Sequence, residues 1–218
     1  TSISARAIAA VGRRFITDTD GLHEQKFTAV GQPGGVARGI TVLRSPSEPS
    51  PMSLELDPDS TAVVVVDMQN GFCHPDGALY APGSEAAIEP CADLVDDARE
   101  AGASVVFTRD VHPPEQFEGN HYYDEFDRWG EHVVEGSWEA ELVNDLDPRE
   151  GELVVEKHTY DAFHETQLAG WLDAHGIREL VVCGTLANVC VLHTASSAGL
   201  RDYRPLLAED AIGFTEEH

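Results

Sequence analysis

Residues 179–191 read ELVVCGTLANVCV, a continuous apolar run that stops at Gly184 and leads through small and polar residues to Cys190. The run has the length and β-branched content of a buried strand, and the residues after Cys190 repeat with helical spacing. A thiol in the first turn of a helix lies beside unpaired backbone N–H groups, which stabilise its thiolate and can bind an oxyanion. Cys190 is therefore either a nucleophile or one more small buried hydrophobic residue.

The rest of the chain from residue 61 onward repeats this alternation of strand and helix. An alternating order of this kind predicts an α/β protein, with three layers (α/β/α), a mostly parallel sheet and right-handed crossovers. Strands are expected at residues 61–67, 103–108, 153–157, 179–183 and near 205–208, and helices at 84–102, 166–175 and about 187–200.

Reactive side chains follow several of these strands at the point where each strand ends. Asp67, Asp110 and Lys157 come at or just after three strands, and the turn to Cys190 follows a fourth. Ligands bind beyond the carboxyl ends of the strands in open α/β sheets. We therefore expect these four side chains to meet at one edge of the sheet.

Composition sets the scale and excludes some partners. The 218 residues, 42% of them hydrophobic, suit one ordinary domain. The 39 Asp and Glu residues against 14 Lys and Arg residues give a net charge of -25, which repels nucleic acid and anionic membranes. An acidic surface with almost no lysine also favours a protein that works in high salt.

The cysteines and the first fifty residues indicate where the domain lies. Four cysteines lack Cys-x-x-Cys spacing, and no signal peptide is visible, so we expect reduced thiols and a cytoplasmic protein. Residues 1–51 lack clear periodicity and contain Pro- and Gly-rich segments. We predict an irregular extension, disordered or artefactual, over residues 1–51, and a functional domain over residues 52–218.

An acid, a lysine and a thiol together suit acyl transfer by a cysteine nucleophile. The Lys157 ammonium is expected to lower the pKa of the Cys190 thiol, and Asp67 to take its proton and pass it to a leaving amine. Lys157 is one of only two lysines in the chain, although a leftover surface lysine is the alternative. His193 would lie about one turn below Cys190, which suits packing better than general-base work.

A second group of polar residues follows the strand at 103–108. Asp110 and His112 form an Asp-x-His pair, and His132 can close a set of oxygen and nitrogen ligands suited to zinc, iron or manganese. Histidines in polar loops are more often solvated, so the spacing alone leaves both readings open.

Several motifs resemble those of the isochorismatase-like cysteine hydrolases, most closely the nicotinamidases. They are the segment DMQNGF at 67–72, Arg109-Asp110-x-His112-Pro113, Trp129-x-x-His132, Lys157, and GTLANVCV at 184–191. The resemblance covers residues 60–214 and implies the isochorismatase-like hydrolase fold. Relatives usually continue beyond Phe214 with a further helix, so we expect the C-terminus of this chain to be incomplete.

The resemblance also implies roles for individual residues. The catalytic triad would be formed by Asp67, Lys157 and Cys190. The oxyanion hole would be formed by the N–H groups of Leu186 and Cys190, and the Thr185–Leu186 peptide in this turn would be cis. Further implied sites are metal ligands at Asp110, His112, His132 and, less directly, Glu118, and aromatic contacts to the substrate at Phe72 and Trp129.

The implied activity is the hydrolysis of nicotinamide to nicotinate and ammonia through a cysteine thioester, as part of NAD salvage. It requires a small-molecule amide substrate and a divalent metal, with zinc first and iron or manganese as alternatives. We expect a homo-oligomer. Two departures bear on the substrate: HVVEGSW at 132–138 replaces the usual cysteine and turn, and Ala187 replaces a threonine.

Two other functions remain open at this stage. One is a metal-independent hydrolase of the same family that acts on another small amide or on a vinyl ether such as isochorismate. The other is a catalytically silent interaction protein. The Asp-x-His and His132 set argues against the first, and an intact triad argues against the second.

Overall fold

The computed structural model describes residues 3–4, 15–16, 55–119 and 125–215. Its strands are β1 (Ile3–Ser4), β2 (Phe15–Ile16), β3 (Glu55–Leu56), β4 (Thr61–Val66), β5 (Ser104–Asp110), β6 (Leu153–Lys157), β7 (Glu179–Gly184) and β8 (Arg204–Ile212). Its helices are α1 (Asn70–Cys73), α2 (Pro82–Ala86), α3 (Ile88–Ala101), α4 (Glu125–Trp129), α5 (Leu168–Ala174) and α6 (Cys190–Gly199). Four 3₁₀ turns lie at Pro58–Ser60, Pro114–Phe117, Trp138–Ala140 and Asn144–Leu146.

The main sheet confirms the predicted three-layer α/β/α architecture. Its strand order is β2-β8-β7-β4-β5-β6, in which β4 to β8 are parallel and β2 pairs with β8 in the antiparallel sense. All six residues of the central strand β4 are buried. Val63 and Val65 pack into a cluster that includes α3, while Val64 and Val66 pack into one that includes α5 and α6. Burial on both faces explains why this strand is a continuous apolar run.

Three predicted elements differ from the structure in their division or by more than two residues at one end. The helix expected at 84–102 is two helices, α2 and α3, and α3 ends at Gly102 in a left-handed conformation with φ 80°. Glycine adopts this conformation without the steric penalty of a Cβ. The last helix begins at Cys190 rather than near Ala187, because residues 185–189 form an irregular turn. The last strand runs on to Ile212.

The prediction for residues 1–51 falls mostly outside the described residues, as does the domain start at residue 52. The two described pieces are β1, which pairs with β3, and β2, which pairs with β8. The four cysteines are free and buried. Among the helices of the described ranges, none combines the length and apolar content that a membrane crossing requires.

The register of the sheet brings the predicted site residues to one edge. Asp110 at the end of β5 is the Cα partner of Lys157 at the end of β6, and Val66 in β4 is the partner of Gly184 in β7. The Val111 N–H donates to the Lys157 carbonyl at 3.0 Å, so the β5–β6 pairing extends to the end of both strands. The chain leaves β4 at Asp67, whose φ of 50° turns it out of the sheet.

Candidate active site

Lys157 lies at the centre of the predicted triad. Its Nζ is 2.7 Å from Asp67 Oδ2 and 3.6 Å from Cys190 Sγ. The ammonium also donates to the Thr159 carbonyl at 2.9 Å. All three members of the triad are buried, with Cys190 the most accessible at 6%. The expected meeting of a carboxylate, an ammonium and a thiol is therefore observed.

Thr108 fixes the orientation of the Asp67 carboxylate. Its hydroxyl donates to Asp67 Oδ1 at 2.6 Å and accepts from the Asp67 N–H at 3.1 Å. Because Thr108 is buried in β5, this pair of hydrogen bonds ties the turn after β4 to the neighbouring strand. Oδ2 is left facing Lys157.

The turn before Cys190 has the features expected of an oxyanion site. The Thr185–Leu186 peptide is cis, as predicted. The Val189 and Val191 N–H groups both donate to the Leu186 carbonyl, at 3.1 and 3.2 Å. Within the described part of the chain, the N–H groups of Leu186 and Cys190 donate to no protein acceptor. Two N–H donors beside the thiol can stabilise negative charge on a substrate oxygen.

Three further contacts hold this turn in place. The Thr185 N–H donates to the Val66 carbonyl at 2.9 Å, and the Thr185 hydroxyl lies 2.5 Å from the buried Ser84 hydroxyl. The Ala187 N–H donates to the Gly213 carbonyl at 2.8 Å. The turn is thus tied to three separate parts of the fold.

Burial controls the protonation of the triad. It raises the pKa of the Cys190 thiol well above its usual value and outweighs the Lys157 ammonium, which lowers it. Lys157 thus acts in the expected direction, but the pKa of the thiol is raised overall. Burial, together with the neighbouring Asp110 carboxylate, also raises the pKa of Asp67, although Lys157 lowers it. A protonated thiol beside a strengthened carboxylate base can pass its proton to that base as it attacks.

Lys157 itself stays an ammonium. Burial would lower its pKa, but Asp67, Cys190 and Asp110 together raise the pKa above its usual value. The Lys157 cation is thus stabilised by the two carboxylates and by negative charge on the Cys190 sulfur.

Asp110, His112 and His132 form a buried cluster beside the triad. Their ligand atoms all lie within 4.8 Å of one another. Asp110 Oδ2 is 3.3 Å from His112 Nε2, and Asp110 Oδ1 is 3.6 Å from Lys157 Nζ. Lys157 therefore belongs to the triad and also lies next to the Asp110 carboxylate of the cluster.

The chemistry of these three groups fits a divalent metal. His112 Nδ1 lies 2.9 Å from Gln116 Oε1 and His132 Nδ1 lies 2.7 Å from the Gly130 carbonyl, so each ring can donate at Nδ1 and keep Nε2 free as a ligand. Burial lowers the pKa of His132, which favours the neutral ring. Burial would raise the pKa of Asp110, but Lys157 and His112 hold it below its usual value. Its buried Oδ1 has no hydrogen-bond partner among the described residues.

The remaining predicted site residues lie apart from this cluster. Glu118 is exposed at the end of the turn Pro114–Phe117, so the structure does not bring it to the other three ligands. Phe72 is half-buried against the apolar cluster of Val111, Val133 and Ala140. Trp129 is half-buried, and the Arg128 guanidinium lies 5.0 Å from its ring centre.

Two other aromatic rings contact the histidines directly. The ring centre of Phe126 is 5.1 Å from that of His112, and the ring of Phe117 is 5.7 Å from that of His132. Sequence reasoning missed both, because the turn Pro114–Phe117 and the helix α4 are too short to show a periodic pattern. It also missed Thr108 and Gln69, although each lies two residues from a site aspartate, the spacing that places side chains on one face of extended chain.

Residues 61–218 match the isochorismatase domain. The chain belongs to the isochorismatase family. One relative, the ureidoacrylate amidohydrolase RutB of Azorhizobium caulinodans, is 34% identical over 185 residues, which are 76% of this chain and 81% of that protein. This member of the isochorismatase family is therefore a hydrolase of amide C–N bonds.

Two solved structures show the range within the isochorismatase fold. N-carbamoylsarcosine amidase from Thermoplasma acidophilum is 34% identical with a TM-score of 0.63, covering 71% of this chain and 84% of that one. The pyrazinamidase of Pyrococcus horikoshii in complex with zinc is 29% identical with a TM-score of 0.62, covering 72% of this chain and 88% of that one.

Proposed function

We propose that this protein is a metal-dependent amidohydrolase that converts nicotinamide to nicotinate and ammonia. The observation that carries the proposal is the position of Lys157 between the nucleophile and the metal-binding cluster. Its Nζ lies 3.6 Å from Cys190 Sγ and 3.6 Å from Asp110 Oδ1. A flat substrate with an amide at one end and a ring nitrogen at the other can reach the thiol and the metal cluster together.

The residues of the chain divide the reaction into two steps. Cys190 attacks the carboxamide carbon while its proton passes to Asp67, and the N–H groups of Leu186 and Cys190 hold the oxyanion. Asp67 then protonates the departing ammonia, which leaves a thioester. A water molecule deprotonated by Asp67 hydrolyses the thioester, releases nicotinate and restores the thiol.

Asp110, His112 and His132 would hold the metal, with zinc the first choice and iron or manganese as alternatives. A metal bound there would supply a Lewis acid for the ring nitrogen of the substrate. The aromatic rings of Phe117 and Phe126 pack against the two histidines.

The second candidate substrate is an N-carbamoyl acid, whose terminal amide also yields ammonia. It is favoured by the likeness to ureidoacrylate amidohydrolase and to N-carbamoylsarcosine amidase. The ion pairs favour nicotinamide, because ureidoacrylate and N-carbamoylsarcosine carry a carboxylate that needs a cation. Within the described residues, Lys157 and Arg109 already pair with acids.

The test is an ammonia-release assay on nicotinamide, pyrazinamide, ureidoacrylate and N-carbamoylsarcosine, with and without chelator, in molar salt. Preference for nicotinamide with loss of activity in chelator supports the proposal. Preference for the ureido compounds without chelator sensitivity would support the second candidate and reject the first. An isochorismate arm with pyruvate as the readout covers the vinyl ether alternative. A protein inert to the whole panel and to iodoacetamide near neutral pH would be catalytically silent.

A further inference from the structure

Gln69 makes three hydrogen bonds from a fully buried side chain. Its Oε1 accepts from the Asp110 N–H at 2.8 Å, and its Nε2 donates to the Asp110 carbonyl at 2.8 Å and to the Ala140 carbonyl at 3.0 Å. Both hydrogens of the amide are therefore used. The side chain therefore binds both backbone groups of Asp110, the N–H through Oε1 and the carbonyl through Nε2.

The fold explains why Asp110 needs such a partner. The ladder between β4 and β5 runs from Ala62–Ser104 to Val65–Phe107, and the chain then turns away at Asp67. Beyond that point Asp110 keeps a strand partner on the β6 side, Lys157, and has none in β4. Buried backbone groups must be paired, and the Gln69 carboxamide supplies the pairing that β4 no longer provides.

The same side chain connects three parts of the site. Gln69 lies two residues after Asp67. Its side chain binds the backbone of Asp110, and its bond to the Ala140 carbonyl connects it to the segment that follows His132. A change at Gln69 therefore displaces Asp110 relative to the two histidines without removing a ligand.

We propose that Gln69 is a positioning residue that aims the Asp110 carboxylate at the metal and thereby sets metal affinity. The inference rests on the metal site of the proposed function. Groups that orient metal ligands typically affect metal affinity by about 10- to 100-fold.

The test uses Gln69→Glu, which keeps the shape of the side chain but replaces the donor with an acceptor that repels the two carbonyl groups. The matched control is Asn70→Asp, which adds the same charge at the next residue. Asn70 Nδ2 donates to the Trp138 carbonyl at 3.0 Å, in the same segment as Ala140, and makes no side-chain hydrogen bond to Asp110 in the described structure.

The readout is the affinity of the metal-free full chain for Zn²⁺ and Co²⁺, together with the Co²⁺ absorption bands, which report ligand geometry. We expect Gln69→Glu to weaken binding about tenfold or more and to shift the bands. Asn70→Asp should bind within about threefold of wild type. An added negative charge on its own would tighten cation binding, so weaker binding reports a loss of positioning.

Wild-type affinity and unchanged Co²⁺ bands in folded Gln69→Glu would overturn the inference, as would an equal loss in Asn70→Asp. If Gln69→Glu does not fold, as judged by its thermal transition, Gln69→Met provides the same test without the added charge. A wild-type chain that binds neither ion would overturn the proposed metal site, whereas tight wild-type binding with no effect at Gln69 overturns this inference alone.

Discussion

Lys157 Nζ lies 2.7 Å from Asp67 Oδ2, and both side chains are completely buried. Replacing Lys157 by Met leaves the Asp67 and Asp110 carboxyl groups without their shared cation. Removal of one partner of a buried ion pair typically costs about 3–5 kcal/mol, so we expect a loss of this size in the free energy of unfolding in urea. The double variant Lys157→Met with Asp67→Asn should recover part of it. Additive losses in this double-mutant cycle would show that the two groups do not interact.

Cys190→Ala should abolish ammonia release while the fold is retained. Loss of the nucleophile in a covalent hydrolase lowers kcat by roughly a millionfold. The control is Cys183→Ala, because Cys183 is also buried but its thiol lies 3.8 Å from the Val64 carbonyl inside the sheet. We expect this variant to lose stability and keep its active thiol. Turnover by Cys190→Ala at the wild-type rate would remove Cys190 from the mechanism.

Thr108→Val should lower kcat more than it changes KM. The substitution keeps the shape of the side chain and removes the hydroxyl that orients Asp67 at 2.6 Å. Misplacement of a reacting group by about 1 Å can lower the rate about 100-fold, and one lost hydrogen bond costs about 1 kcal/mol of stability. Thr108→Ser restores the hydroxyl and should restore kcat. Equal rates in the valine and serine variants would assign Thr108 a packing role only.

Asp110→Asn and His132→Ala should lower the metal content of the purified protein and raise KM for nicotinamide. Both remove a ligand from the buried cluster, and neither residue belongs to the triad. His193→Ala is the control, because His193 is exposed and its Nδ1 lies 2.7 Å from the Val189 carbonyl. Elemental analysis gives the metal content. A full complement of metal in Asp110→Asn would contradict the ligand assignment without affecting the triad.

Stability should depend on pH through Glu152. Arg99 pairs with this carboxylate through Nε and Nη2, each at 2.8 Å. Burial would raise the pKa of Glu152, but the bond to Arg99 lowers it below the usual value of 4.5. A carboxylate with a lowered folded-state pKa stabilises the protein above about pH 4.5 and loses that contribution as pH falls through the folded-state pKa.

Glu152→Gln should therefore cost up to about 1 kcal/mol at pH 7, and the difference from wild type should shrink as pH falls below about 4. Thermal melts over this range measure the effect. Glu156→Gln is the comparison, because the Glu156 side chain is 55% exposed where it pairs with Arg109, and we expect a smaller change. A Glu152→Gln deficit that stays constant down to pH 3 would show that the charge of Glu152 is not its source.

Periodicity predicted the architecture because a strand buried on both faces differs strongly in composition from the segments around it. The run at 61–67 and the run at 179–183 became β4 and β7, and the carboxyl-end rule then placed Asp67, Lys157 and Cys190 together. The division between α2 and α3 was not predictable, because the helical pattern continues across Ala87 while the backbone does not.

The supporting residues of the site could not be derived from pattern alone. Thr108 pairs with Asp67, and Gln69 with Asp110, through hydrogen bonds that span 41 residues of sequence, and such partners are set by register rather than by composition. The overall direction of the Cys190 pKa could not be predicted for a related reason. A helix start and a nearby lysine are visible in the sequence, whereas the depth of burial that outweighs them depends on the packed fold.

The pairing of Asp110 with Lys157 across β5 and β6 has a consequence for how this chemistry can change. β6 is the outermost strand of the described sheet on its side, and its alignment is held by a single neighbour. A two-residue shift of β6 would bring Val155 opposite Asp110, and the acyl centre and the metal cluster would lose their common cation in one step. A mutation that shifts β6 would therefore disturb both centres together, whereas a substitution that leaves this alignment intact can alter either one alone.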